Sequence, residues 1–307
     1  MSERTAPPPV DLPALKRRLG GIGVWLGSIS AAPAAEARRA ATTIERLGYS
    51  TLWFGETPNS KEALANAAVL LCATERLILA TGIANIYGRD ATAAANGART
   101  LIDAWPERFV LGLGVSHAPL VTSRGHDYGR PVSAMRAYLD AMDATVFGSP
   151  LVEEAPRLLA ALRPKMLELA ATRAQGAHPY FVTPEHTARA RRILGPGPVL
   201  APEQAVVVDT DSERARATAR RYMALYLALP NYLNNLRDLG FSDADFEEGG
   251  SDALVDAIVP TGDAETVAER VRAHYPAGAD HVAVQPLART LDQQLEQLRL
   301  LAPLLVG

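Results

Sequence analysis

Residues 77–117, LILATGIANIYGRDATAAANGARTLIDAWPERFVLGLGVSH, decide the fold. Leu77-Ile78-Leu79-Ala80 is apolar without alternation, the pattern of a strand covered on both faces of a parallel sheet. It breaks at Thr81-Gly82-Ile83-Ala84-Asn85, and an alanine-rich helical stretch follows. Phe109-Val110-Leu111-Gly112-Leu113-Gly114 then repeats the strand plan and ends at Ser116-His117. The stretch reads as one βαβ unit with polar groups where both strands stop.

The same alternation runs outward in both directions. Strands are predicted at residues 22–26, 51–55, 77–83, 109–114, 158–162, 176–182, 204–209 and 281–285, with helices between them, and eight parallel strands close a (β/α)8 (TIM) barrel. Helix signals support the division. The run 33–47 stops at Gly48, and Thr183-Pro184 offers an N-cap followed by proline at the first helical position. Two connections exceed what a simple barrel needs: 116–130 after the fourth strand, a candidate lid, and 230–261 near the seventh helix, taken as the run 212–229. The alternative, a doubly wound sheet, would need a glycine-rich loop between an early strand and its helix. Gly20-Gly21-Ile22-Gly23 instead precedes or lies within the strand.

Composition bounds the rest. A chain of 307 residues with 48% hydrophobic and 21% charged residues can bury one large core. The reading is a lead-in over 1–15 and a single domain over 16–307. The net charge of -3 argues against a nucleic-acid partner. Arginine dominates the basic residues, since only Lys16, Lys61 and Lys165 are lysines, but it is scattered over helices. No run is long enough to span a membrane. Lys16-Arg17-Arg18 with the apolar stretch to Ala35 mimics a signal peptide, but the same residues are needed as the first strand and helix. The single cysteine, Cys72, falls in the apolar helix 63–74, which predicts a packed thiol, no disulfide framework and a cytoplasmic location.

The motifs A-T-G-I-x-N-x-Y-x-R-D (80–90) and W-P-x-R-F-x-L-G-L-G-V-S-H (105–117) resemble those of the bacterial luciferase-like flavin and deazaflavin oxidoreductases, particularly the actinobacterial branch dependent on coenzyme F420. Thr51-Leu-Trp-Phe-Gly-Glu56, Gly176-Ala-His-Pro-Tyr180 and Gly278-Ala-Asp-His-Val282 fall in the family's order. The resemblance implies a non-prolyl cis peptide at Gly82-Ile83 pressing on the cofactor ring, with Asn85 at the ring's polar edge and homodimerisation as the family's habit. It also aligns Trp53 to Thr57 with the W-x-x-D-H motif of F420-dependent sugar dehydrogenases. Glu56 keeps the acid, but Thr57 replaces the histidine and cannot serve as a base, which argues against sugar phosphate oxidation.

His117 stands where those dehydrogenases carry a catalytic glutamate. A histidine there can take or give a proton during hydride transfer. His117 and Glu56 are therefore the candidate catalytic residues. The candidate cofactor contacts are Gly82, Ile83, Asn85, Gly114, Ser116 and His178, with a phosphate held at Arg163 and Lys165 or at Gly176 and Ala177. Arg89 and Asp90 are read as opening a helix, and Glu153-Glu154 and Glu247-Glu248 as solvated. No metal cluster, Ser-His-Asp elbow or Walker loop is visible. The sequence thus predicts hydride transfer between F420 and a small organic substrate. The alternatives are a monooxygenase dependent on flavin mononucleotide (FMN) and a barrel that binds such a ligand without turnover.

Overall fold

In the computed structural model, which describes residues 9–150 and 153–307, eight parallel staves form the barrel. They are β1 (Ile22–Trp25), β2 (Thr51–Phe54), β3 (Ile78–Thr81), β4 (Phe109–Gly114), β5 (Arg157–Leu159), β6 (Gly176–Ala177), β7 and β8 (Val282–Pro286). β7 comes in two pieces, Val199–Leu200 and Glu203–Val208. Its first piece pairs with β6 (Gly176 with Val199) and its second with β8 (Glu203 opposite Ala283), so this broken stave closes the ring. β8 returns to β1, with Ile22 opposite Val282. The sequence pattern starts this stave at Gln204 and does not show the Val199–Leu200 piece. It also runs β5 and β6 longer than the two or three paired residues they keep.

The absence of alternation in these staves follows from burial on both faces. In β2, Leu52 and Phe54 pack outward with the helices while Trp53 points into the barrel; in β3, Leu79 faces out and Ile78 and Ala80 face in. The helices supply the outer layer. α2 (Ala34–Arg46), α3 (Ala63–Leu71), α4 (Ala91–Ala104), α6 (Pro131–Asp143), α7 (Pro164–Arg173), α8 (Pro184–Leu194), α12 (Ala264–Arg272) and α13 (Leu291–Leu305) follow the staves in turn. Gly48, at φ 90°, ends α2 as expected, and Thr183 caps α8 by accepting from the His186 amide at 3.3 Å.

Three expectations are corrected. The lead-in cannot extend to residue 15, because Asp11 caps a helix, α1 (Leu12–Leu19), whose Leu15 and Leu19 are fully buried. They join Trp53, Ile78, Val110, Leu158 and Ala283 inside the barrel, so α1 plugs its N-terminal end. Burying each leucine stabilises the fold by about 1.5–3 kcal/mol. The rest of the predicted lead-in, residues 1–8, lies outside the described residues. Cys72 is exposed, since it caps α3 one step beyond the buried Leu70-Leu71 pair. Glu153 and Glu154 are engaged, the first by the Glu107 amide at 2.7 Å and the second by the Arg99 guanidinium at 3.0 Å.

The insertion near the seventh helix is itself helical: α9 (Ser212–Leu227), at the predicted run, packs on β7, and α10 (Pro230–Asp238) and α11 (Asp252–Ile258) pack on α9. These helices form an apolar cluster with Ala205 and Val207 of β7, to which Met223, Tyr232, Leu236, Leu254 and Ile258 contribute. α12 also packs on β7, and on α13. The other insertion holds the short α5 (Ala118–Thr122). Among the described residues no helix is long and apolar enough to cross a membrane.

Candidate active site

β3 does not run straight on. After Thr81 the chain turns through a cis peptide at Gly82-Ile83, at the predicted position, and Ala84-Asn85 pairs with β4 opposite Leu113 and Gly114. The bulge is held on both sides. The Gly82 amide donates to the Phe54 carbonyl at 2.7 Å, the Glu56 amide to the Ile83 carbonyl at 3.1 Å, and the Trp25 indole N–H to the Gly82 carbonyl at 3.0 Å. Glycines shave the surface around it. A Cβ on Gly82 would lie 2.6 Å from Trp25 Nε1, one on Gly114 2.5 Å from Ile83 Cγ1, and one on Gly55 3.2 Å from Trp25. The glycines thus make room for the Trp25 and Ile83 side chains, and half-buried Ile83 packs over Gly114 near the C-terminal end of the staves.

Glu56 reaches this bulge as a clamp. One carboxylate oxygen accepts from the Ala63 amide at 3.2 Å and pairs with Arg89; the other accepts from the Asn85 amide at 2.8 Å. Arg89 also pairs with Glu62 at 2.6 Å, and its carbonyl accepts from Tyr138 at 3.1 Å. Both side chains of the Glu56–Arg89 pair are largely shielded, at 6% and 10% exposure. Accepting three hydrogen bonds, Glu56 holds the bulge against α3. Arg89 was expected only to precede a helix; Asp90 does cap α4, accepting from Ala93 at 2.8 Å, while Arg89 turns inward. Asn85 is buried and uses its side-chain oxygen to accept from the Tyr87 amide at 3.0 Å.

β4 delivers Gly114, Ser116 and His117 beside the bulge. Ser116 takes φ 56°, and its carbonyl accepts from the Tyr128 hydroxyl at 3.1 Å, which folds the 116–130 loop back over the staves. His117 caps α5 through its backbone only. Its half-buried ring makes no hydrogen bond to the described residues and lies 5.7 Å from the Tyr232 ring of α10. Burial lowers its pKa, so the imidazole is neutral near pH 7 and open to exchange a proton.

His178 lies deeper than predicted. It is 1% exposed and stacks on Trp53 with centroids 4.4 Å apart, and burial pushes its pKa down to about 4. Its Nδ1 donates to the Ala201 carbonyl at 2.7 Å, which leaves Nε2 an acceptor without a partner, 3.0 Å from where a Gly82 Cβ would be. Gly176 and Ala177 do not form a phosphate loop. Both are buried in β6, and the close approach at Gly176 is to the backbone of the next stave, where a Cβ would stand 2.0 Å from the Val199 carbonyl oxygen. Arg163 and Lys165 are exposed at the start of α7; Arg163 pairs with Asp238 of α10 at 3.3 Å.

Sequence reasoning missed the aromatic layer above the bulge. Tyr180, Phe181, Tyr222, Tyr226 and Tyr232 pack together, with Tyr180 edge-on to Trp25 at 5.2 Å. A chain of hydroxyls runs from Tyr226 to Tyr180 at 2.9 Å and on to Gln285 at 2.7 Å. The one-turn spacing of Tyr222 and Tyr226 was a usable signal; Glu203, behind this layer, had none beyond being an acid at the edge of an apolar run.

Eight parallel staves, with a bulged third one and a histidine at the C-terminal mouth, define a barrel of the kind that builds its active site at that end. Residues 19–281 match the family model described as luciferase-like monooxygenase. The chain belongs to that family and by that membership is an enzyme of oxidoreductase type. It is 24% identical over 211 residues to a 5,10-methylenetetrahydromethanopterin reductase of Methanolobus tindarius, the match covering 60% of this chain and 65% of that one. It is 27% identical over 251 residues to a Mycobacterium tuberculosis protein provisionally named a coenzyme F420-dependent oxidoreductase, covering 67% and 72%. Two solved structures share the fold. An F420-dependent secondary alcohol dehydrogenase holding an F420-acetone adduct superposes with TM-score 0.74 at 15% identity, covering 93% of this chain and 99% of that one. The FMN-bound oxygenating constituent of 3,6-diketocamphane monooxygenase from Pseudomonas putida gives 0.69 at 13% identity, covering 93% and 98%.

Proposed function

We propose that this chain binds coenzyme F420 and transfers a hydride between it and a small organic substrate. The observation that carries the reading is the bulge at Gly82-Ile83, held by Trp25 and Glu56 and paired with the end of β4, from which the unengaged His117 follows. Gly82, Ile83 and Gly114 would support the ring, and Asn85 and Ser116 would flank it. Arg163 and Lys165, at a helix start without a side-chain cap, suit the cofactor's phosphate. Arg163 would exchange its Asp238 partner for it. When bound, F420 supplies a ring carbon that gives or accepts a hydride.

The chain's own residues do the rest. Glu56 and Arg89 hold the bulge, so that the ring and substrate meet in one geometry. The aromatic layer excludes water, and neutral His117 takes the proton from a substrate hydroxyl on oxidation and returns it on reduction. Relatives named for F420 support this reading, while the FMN-bound neighbour supports the same site holding FMN. Titration of the purified protein with F420 and with FMN, followed by cofactor fluorescence, separates the two. Tight F420 binding with a reduced form that is stable in air is expected; preference for FMN and rapid reaction of its reduced form with oxygen would replace this reading by the monooxygenase one. A homodimer and a cytoplasmic location are also proposed, on the family resemblance and the cysteine content, and light scattering tests the first.

A further inference from the structure

The hydroxyl chain of the aromatic layer ends on Gln285, a side chain that the hydride-transfer reading leaves without a role. Gln285 lies on β8, one step beyond the pairing of Val284 with Val24, and so stands next to Trp25 of β1. Side chains alternate along a strand, and Ala283 is inside the barrel, so Gln285 points inward too. Burial places it at the floor of the C-terminal mouth. Ala283, deeper on the same stave, is fully buried, as are Val110 and Leu158, whereas Gln285 keeps 8% of its surface and Trp25 keeps 9%. Trp25 is the residue that holds the Gly82 carbonyl, so this floor adjoins the bulge.

Only one end of the Gln285 amide is used. Its Oε1 accepts from the Tyr180 hydroxyl at 2.7 Å, and the Tyr180 oxygen in turn accepts from the Tyr226 hydroxyl at 2.9 Å. The NH2 group makes no hydrogen bond to the described residues. A planar amide held at its oxygen has its nitrogen fixed as well, so two donors stand ready for a partner that the chain does not supply. An amide NH2 only donates, and that partner must therefore be an acceptor. Tyr180, with Trp25 and Tyr226 against it, is neutral, which suits an uncharged carbonyl oxygen over a carboxylate or a phosphate. Resting on the hydride-transfer reading, we propose that Gln285 is a binding residue of this site, its NH2 group donating to a carbonyl oxygen of the bound cofactor ring or of the substrate. Tyr180 and Tyr226 are its positioning residues. They keep the amide from turning its own oxygen toward that carbonyl, which would set acceptor against acceptor.

The test separates the two sources of the carbonyl. Fluorescence titration of the wild-type protein with F420 and with FMN gives the reference Kd. If the ring supplies the oxygen, Gln285→Leu should weaken that Kd about 10–100-fold. The side-chain amide signal of Gln285 in nitrogen-15-labelled protein, identified by its loss in the variant, should then move downfield on adding cofactor. If the substrate supplies the oxygen, Kd and signal stay unchanged with cofactor alone, and the signal moves when acetone, the smallest ketone probe, is added to the F420 complex. Tyr180→Phe keeps the amide but frees it to turn. It should give the same change at smaller size, which covers the case of Gln285→Leu failing to fold. A Gln285 that only holds the fold would lower the unfolding free energy of both variants and leave Kd and the signal unmoved by cofactor and by acetone. That result, in a wild-type chain that binds F420 or FMN, overturns the Gln285 proposal alone. A wild-type chain that binds neither overturns the hydride reading and this proposal with it.

Discussion

The two ends of the barrel treat buried polar groups in opposite ways. At the N-terminal end, below the α1 plug, His281 donates from Nδ1 to the Gly20 carbonyl at 2.9 Å. Its Nε2 meets Thr51 at 3.0 Å and the Trp53 indole at 3.1 Å. Every polar atom of that cluster has a partner. At the C-terminal end the Glu203 oxygen, His178 Nε2 and the Tyr222 hydroxyl have none, and the His117 ring is open. Residue types and aromatic packing are alike at the two ends, so polarity alone does not mark the working end. Between these two aromatic clusters the difference is unfilled hydrogen-bonding capacity, which costs about 1–3 kcal/mol for each buried group left unpaired; such groups also occur singly elsewhere, as at Arg18 of α1 and Asn66 of α3.

The comparison can be broken from either end. The largest effect is expected at the open end: His117→Ala should lower kcat by about 10²–10⁴-fold, with little change in unfolding free energy, since its ring packs on few partners. Loss of stability without loss of turnover would make His117 a packing residue. At the closed end the signs reverse. Leu19→Ala should cost about 2–5 kcal/mol in denaturant unfolding while cofactor affinity is kept, because it opens a cavity under the staves. Thr51→Val should cost about 1–3 kcal/mol by removing the hydroxyl between His281 and Trp53, again with turnover intact.

The smallest effect is in the pH dependence, and it separates the histidines from the acid. His178, His186, His274 and His281 are all held near 4 by burial, below their ordinary value of 6.5. The unfolded chain therefore binds more protons than the native one between about pH 4 and 6.5, and stability should fall on acidification through that window. Glu203 acts in the opposite sense. Its folded-state value lies above its unfolded one, so its contribution is complete below about pH 4.5 and is lost as pH rises toward 8. Denaturant melts of wild type and Glu203→Gln at a series of pH values should share the acid limb and differ in the alkaline one. Identical curves would show that the carboxyl is not held neutral.

Much of this was legible in the chain. Staves such as 109–114 follow from unbroken apolar runs, and their order from the turn and cap signals between them. The positions of Gly82, Asn85 and His117 follow from lying just past strand ends, where a barrel gathers its chemistry. What failed to read correctly depended on partners distant in sequence. Gly176 looked like a ligand-facing glycine, but its close neighbour is the backbone of Val199, which lies on the next stave. Glu56 was read from its motif, which shows neither Arg89 nor the Asn85 amide as its partners.

The sequence alone therefore determined the barrel, its family and the end at which the site would form, because strand burial and chain order are local patterns repeated eight times. Only the tertiary structure decided which polar groups at that end are spent on holding the fold and which remain open. Hydrogen-bond satisfaction is settled by what packs against a residue, and for Glu56, His178 and Glu203 those partners come from other staves and from the inserted helices.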